Sequence, residues 1–128
     1  MTEKAKILVV DDTKQFRVEI KNFLEGRYDI SEASDGLIAL NQVKEEKPDL
    51  IILDLEMPVM DGLEFLDKCG EIFEALPPVL ILTTVSTKRK ETRKGGAQFY
   101  MSKPVQKDRL LNVIEILLKT EPTTPEIE

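Results

Sequence analysis

Four short apolar runs punctuate this chain, and each leads into residues of distinct chemistry. Ile7-Leu8-Val9-Val10 runs into Asp11-Asp12, and Leu50-Ile51-Ile52-Leu53 into Asp54. Val79-Leu80-Ile81-Leu82 runs into Thr83-Thr84, and Phe99-Tyr100-Met101 leads to Lys103-Pro104. Continuous apolar runs of this length predict strands buried on both faces, as in a parallel sheet. Residues 28–33 alternate instead and predict an exposed edge strand. Helical spacing fills the gaps. Phe16, Ile20, Phe23 and Leu24 share one face of a helix over about 13–25, with Asp12 or Thr13 as its cap and Gly26 closing it. Leu37, Leu40 and Val43 mark a second helix that opens after Asp35-Gly36 and stops before Pro48. Leu63, Leu66, Cys69 and Phe73 mark a third, and Leu110, Val113, Ile114, Leu117 and Leu118 a last one over about 106–119. Strand and helix alternate five times, which predicts an α/β fold: a doubly wound five-stranded parallel sheet covered on both faces. Residues 86–96 are polar and basic with almost no apolar stripe, so the fourth helix is expected to be short or irregular.

The length of 128 residues suits one domain, expected over residues 1–120. Glu121 to Glu128, with two prolines and no apolar periodicity, is expected to be a disordered tail. No apolar run approaches the length of a membrane span, and the N-terminus lacks a signal-peptide core. A cytoplasmic protein is the expectation. The single Cys69 excludes an internal disulfide framework. The net charge of −6 speaks against a nucleic-acid-binding domain. The chain has no histidine, so histidine catalysis and histidine-ligated metals are closed to it.

Parallel strands bring their carboxyl ends to one edge of the sheet, where open α/β sheets bind ligands. Three acids, a hydroxyl and a lysine meet there. Each has an ordinary structural reading: Asp11-Asp12 as a turn and helix cap, Lys103 as the partner in an ion pair, Thr83 as a strand-end threonine. Together they make a site for a hard cation with an anion clamp beside it. Mg²⁺ takes oxygen ligands and keeps several waters, so two or three carboxylates suffice, and Mn²⁺ suits the same donors. One of the carboxylates can then attack phosphorus and form an aspartyl phosphate. The cation and the lysine offset the charge of the transferring phosphoryl group, and the hydroxyl takes one of its oxygens.

At this point the chain resembles a known family. Val9-Val10-Asp11-Asp12, the stretch Asp54-Leu55-Glu56-Met57-Pro58-Val59-Met60-Asp61-Gly62, Leu82-Thr83 and Ser102-Lys103-Pro104 are similar to the motifs of the receiver domain of two-component response regulators, over about residues 5–119. The resemblance implies a flavodoxin-like sheet of order 2-1-3-4-5. It implies that Asp54 is the phosphoacceptor and also a metal ligand, that Asp12 ligates Mg²⁺ directly, and that Asp11 acts on the ion largely through water. It also implies that the backbone carbonyl of Glu56 is a further ligand, that Thr83 closes on the phosphoryl group and that Lys103 binds it. Lys103-Pro104 matches the family's cis peptide, and Tyr100 matches an aromatic switch that moves with Thr83.

Two departures stand out. The interval between Thr83 and Lys103 is about two residues short and carries Lys88, Arg89, Lys90, Arg93 and Lys94. It reads either as a solvated basic loop or as a docking surface, within residues 86–100, for an acidic partner. Thr84 is bulky beside the site and is expected to hinder the attacking water.

The leading functional expectation is a stand-alone, chemotaxis-type receiver. It takes phosphate from a histidine kinase or a histidine phosphotransfer protein and signals by a conformational switch, as a monomer or a phosphorylation-dependent dimer. It catalyses nothing beyond its own phosphorylation and dephosphorylation. A phosphotransfer intermediate or phosphate sink without dedicated output is an alternative, and a Mg²⁺-dependent phosphohydrolase is another.

Overall fold

The computed structural model describes residues 3–119; the expected tail from Glu121 lies outside them. Five strands alternate with five helices: β1 (Lys6–Val10), α1 (Lys14–Leu24), β2 (Asp29–Ala33), α2 (Gly36–Glu45), β3 (Leu50–Leu53), α3 (Gly62–Ile72), β4 (Val79–Thr83), α4 (Arg89–Lys94), β5 (Phe99–Ser102) and α5 (Lys107–Leu118). All strand pairs are parallel and the order is β2-β1-β3-β4-β5, the expected topology. The continuous apolar runs of β1, β3 and β4 occupy the centre of the sheet, where both faces are covered. The alternating β2 lies at an edge.

The two faces of the sheet make two cores. Leu8, Val10, Ile51, Leu53, Val79 and Ile81 point to the side covered by α2 and α3, where Ala39, Leu40, Val43, Phe65, Leu66 and Cys69 meet them. Ile7, Val9, Leu50, Ile52, Leu80 and Leu82 point to the side of α1 and α5, against Ile20, Leu24, Leu110, Ile114 and Leu117.

Some expected positions differ. Leu37 is 43% exposed, because the buried stripe of α2 runs through Gly36, Ala39, Leu40 and Val43. Glycine does not register as apolar in a hydropathy pattern, yet Gly36 lets this helix approach the loop at Met60, whose carbonyl oxygen would lie 2.4 Å from an added Cβ. Phe65, absent from the expected stripe of α3, is fully buried. The fourth helix is indeed short, six residues, with Thr92 as its one buried residue. The Thr92 hydroxyl donates to its own helix, at the carbonyls of Lys88 and Arg89, each 3.0 Å away. That satisfies the polar group and lets a threonine serve as the inward face.

Two backbone features shape the loop after β3. An added Cβ at Gly62 would lie 2.4 Å from the Asp54 carbonyl oxygen and 2.8 Å from Leu55 Cα. Only glycine lets the start of α3 sit this close to the end of β3. Val59 has a φ of 69°, and the Met60 amide donates to the Pro58 carbonyl at 2.7 Å. This is a γ-turn in its rare, strained hand, occupied by a β-branched residue.

Two substitutions are therefore expected to act in opposite directions in urea unfolding. Gly62→Ala should destabilise by about 1–3 kcal/mol through overpacking. Val59→Gly should stabilise by about 1 kcal/mol, since roughly 1–3 kcal/mol of strain is relieved against an entropic cost of about 0.5–1. A neutral Gly62→Ala or a destabilising Val59→Gly would contradict the reading of this loop.

Candidate functional site at the carboxyl edge of the sheet

Register builds the site. Val10 pairs with Leu53, so the next residues, Asp11 and Asp54, leave adjacent strands side by side. The Asp54 amide still donates to the Val10 carbonyl and the Asp11 amide to the Ala33 carbonyl, each at 3.0 Å. Both carboxylates are thus fixed at the last rung of the sheet. Thr83 pairs with Ser102, and the Lys103 amide donates to the Thr83 carbonyl at 3.0 Å, which carries Lys103 to the same edge. The Lys103-Pro104 peptide bond is cis.

The side chains converge as the sequence suggested. Asp11, Asp12 and Asp54 each offer a carboxylate oxygen within 4.8 Å of the others. Asp11 and Asp54 are buried, at 2% and 6% exposure, while Asp12 faces solvent. Lys103 Nζ donates to Asp11 Oδ2 at 2.6 Å and to Asp54 Oδ2 at 3.4 Å. The opposite oxygens take backbone donors. Asp54 Oδ1 accepts from the Leu55 amide at 2.8 Å and the Glu56 amide at 3.5 Å, and Asp11 Oδ1 accepts from the Thr13 amide at 2.9 Å. These bonds leave Asp54 oriented, with one oxygen held by the loop and the other facing the ammonium.

Of Asp11 and Asp54, Asp11 is the more deeply buried and the nearer to Lys103. Burial pushes its carboxyl above the ordinary aspartate value of 3.8; Lys103 and the Thr13 amide oppose the shift and Asp54 adds to it. Neither Asp12 nor Thr13 supplies a side-chain cap to α1. Glu56 lies on the β3–α3 loop with its carboxylate accepting from the Thr84 hydroxyl at 3.3 Å. The Thr83 hydroxyl accepts from the Val85 amide at 3.3 Å. Tyr100 is turned inward at 8% exposure, donates its hydroxyl proton to the Val85 carbonyl and lies 4.6 Å beneath the Arg89 guanidinium. Thr83 and Tyr100 therefore engage the same β4–α4 loop from two strands.

Three carboxylates and one ammonium leave a formal excess of two negative charges. Oxygen donors with that excess, partly solvated through Asp12, suit a hexacoordinate divalent cation that keeps some of its waters. Two further residues complete the surroundings. Arg17 donates to the Asp11 carbonyl at 2.7 Å and to Glu32 at 3.0 Å, tying α1 to β1 and β2. The Phe16 ring lies with its centroid 4.0 Å from Lys103 Nζ. Neither stood out in the sequence, where Arg17 is a polar residue on an amphipathic helix and Phe16 a core position.

The comparisons agree with this geometry. Residues 7–115 match the model of the response regulator receiver domain. The chemotaxis protein CheY of Halobacterium salinarum is 34% identical over 116 residues, covering 88% of this chain and 96% of that protein. A histidine kinase, P4, of Formosa agariphila is 41% identical over 120 residues, 88% of this chain. This chain spans only 9% of that kinase, and 31% of a protein-glutamate methylesterase of Methanospirillum hungatei that it also resembles. Among solved structures, Vibrio cholerae chemotaxis protein CheY4 superposes with a TM-score of 0.81 at 32% identity, over 89% of this chain and 98% of that one. With the family's motifs, its strand order and its acidic edge all present, the chain belongs to the response regulator receiver domain family.

Proposed function

We propose that the chain is a phospho-accepting signalling receiver in which Asp54 takes a phosphoryl group from the phosphohistidine of a histidine kinase or a histidine phosphotransfer protein. The observation that carries the reading is the Asp54 carboxylate itself: buried, oriented by two backbone amides, and facing an ammonium and two further acids.

In this reading Asp54 Oδ2 attacks phosphorus, a P–O bond forms, and the P–N bond to the donor imidazole breaks. Lys103 shifts from the two carboxylates to the phosphoryl oxygens. Asp12, Asp11, Asp54 and the Glu56 carbonyl would hold Mg²⁺ or Mn²⁺, which when bound would offset the negative charge on the transferring group. Thr83 leaves the Val85 amide and donates its hydroxyl to a phosphoryl oxygen. That exchange releases the β4–α4 loop, to which Tyr100 and Arg89 are tied, so a local charge event becomes a shift between two loop arrangements.

The output is a binding event at the basic face of α4 and β5. A surface cavity of about 610 Å³ opens there among Arg89, Lys90, Arg93 and Phe99. Its cations and half-exposed aromatic ring suit an acidic segment bearing an apolar side chain. A phosphohydrolase fits less well. It would need an acid placed to protonate a leaving group, and Glu56 is exposed and turned toward Thr84. Among the described residues no helix is long and apolar enough to cross a membrane.

Incubation with acetyl phosphate and Mg²⁺ should add one phosphoryl group to the intact protein, and Asp54→Asn should abolish the addition. Equal labelling of that variant would refute the assignment.

The ion should also show in stability. A ligand that binds only the folded state adds about 2.7 kcal/mol at a hundredfold excess over its dissociation constant. With chelator present, the raised folded pKa of Asp11 means that the native state binds its proton more tightly than the unfolded chain. Its contribution to stability therefore declines as pH rises from the ordinary value of 3.8 through the raised folded value. Melting curves should show this decline, Mg²⁺ should reduce it, and Asp11→Asn should remove it. A wild-type melting temperature indifferent to Mg²⁺ at neutral pH would count against the cation site.

A further inference from the structure

We infer that Phe16 is a positioning residue for Lys103: its ring holds the ammonium at the mouth of the carboxylate cluster, ready for the phosphoryl group. The inference rests on the proposed role of Asp54 as phosphoacceptor.

The geometry is specific. Lys103 Nζ lies 4.0 Å from the Phe16 ring centroid, at the distance of a close cation–π contact. The same ammonium donates to Asp11 at 2.6 Å and to Asp54 at 3.4 Å. A lysine head is compact, strongly hydrated and carried on a flexible stem, so two carboxylates alone do not stop it from swinging to one of them or out to water. This one is only 16% exposed at its side chain. The aromatic face supplies a contact that needs no acceptor oxygen. It can therefore persist when the carboxylates exchange the ammonium for another cation or for a phosphoryl group.

The ring is itself held. Phe16 lies on the first turn of α1 and packs on the core beside Ile20 and Leu24. Arg17, its neighbour, binds the Asp11 carbonyl at 2.7 Å and Glu32 at 3.0 Å, and its amide donates to the Thr13 carbonyl at 3.1 Å. The turn bearing the ring is thus fixed to the strand ends that bear the carboxylates. Lys103 meets the site from β5, the ring from α1, and the two elements are joined through this contact.

The ring's electron density can be tested apart from its bulk. Replacing Phe16 by mono-, di- and trifluorophenylalanine drains the ring face while nearly preserving shape, and Phe16→Leu removes it. Two rates are read on the full chain, each protein first checked by its melting curve. One is acylation of Lys103 by an amine-reactive ester, measured by mass spectrometry without Mg²⁺ or phosphodonor. The other is phosphoryl labelling of Asp54 by acetyl phosphate with Mg²⁺.

Across the series, Lys103 acylation should rise and Asp54 labelling should fall stepwise, reaching about threefold to thirtyfold at the end, the range a cation–π contact provides. Phe16→Trp should stay near wild type or exceed it. A merely structural ring would not follow the order of fluorination. Acylation and labelling both unchanged within about twofold along the series would overturn the positioning role. Absence of label from the wild-type protein would overturn Asp54 as acceptor and this role with it. A flat acylation series alongside normal labelling would overturn the hold of the ring alone.

Discussion

Like charges crowded at a low-dielectric edge dominate this molecule. Asp11 and Asp54 are both buried and present oxygens within 4.8 Å of each other, with Asp12 beside them. At an effective dielectric near 20, two ionised carboxylates at that separation repel by about 3 kcal/mol. A single ammonium, shared between Asp11 and Asp54, relieves part of that repulsion and leaves two charges uncompensated. A fold whose total stability is of order 5–15 kcal/mol does not carry such a cost idly. In the proposed reading this imbalance would attract a divalent cation, and it would make Asp54 a carboxylate that gains by accepting a group bound to cation and lysine together.

Most of the surrounding structure can be read as holding those charges in place. The register of β1 on β3 sets the acids side by side, and the central strands are apolar enough to keep the pair from drifting apart. Gly62 lets α3 begin against the Asp54 carbonyl, so the loop amides stay within reach of the carboxylate. Backbone strain at Val59 sits in the same loop, as is common beside functional sites. On the other side, Arg17 ties α1 to the Asp11 carbonyl, and the ring of Phe16 reaches Lys103. The contacts of Thr83 and Tyr100 with Val85 extend the same network toward α4.

Much of this was legible in one dimension, for a physical reason. A strand buried on both faces must be apolar at every position, so β1, β3 and β4 announce themselves and their ends mark the site. Acids closing such runs are costly unless they have work to do. What escaped was whatever depends on small residues or on contacts between distant segments. Leu37 looked buried because a pattern of large side chains passes over Gly36 and Ala39, which share the buried face of α2 with Leu40 and Val43. Thr92 reads as polar, and it can be buried because its hydroxyl finds its partners within its own helix. The closer approach of Lys103 to Asp11 than to Asp54, and the parts taken by Phe16 and Arg17, come from side chains many residues apart meeting in space. No spacing rule encodes them. The short α4 was visible only as a gap in the apolar pattern, and its six residues lie among the cations that set this chain apart from the usual amphipathic helix.

The charge imbalance is the central claim, and Lys103 gives the most direct access to it. Calorimetric titration of Mg²⁺ into the wild type and Lys103→Gln compares a site with an excess of two negative charges against one with three. If the ammonium is a tethered cation competing for the same carboxylates, the substitution should tighten Mg²⁺ binding even though it removes a residue from the site. Weaker or unchanged Mg²⁺ binding in a folded Lys103→Gln protein would contradict the account, because the lysine would then be organising the acids rather than competing for them.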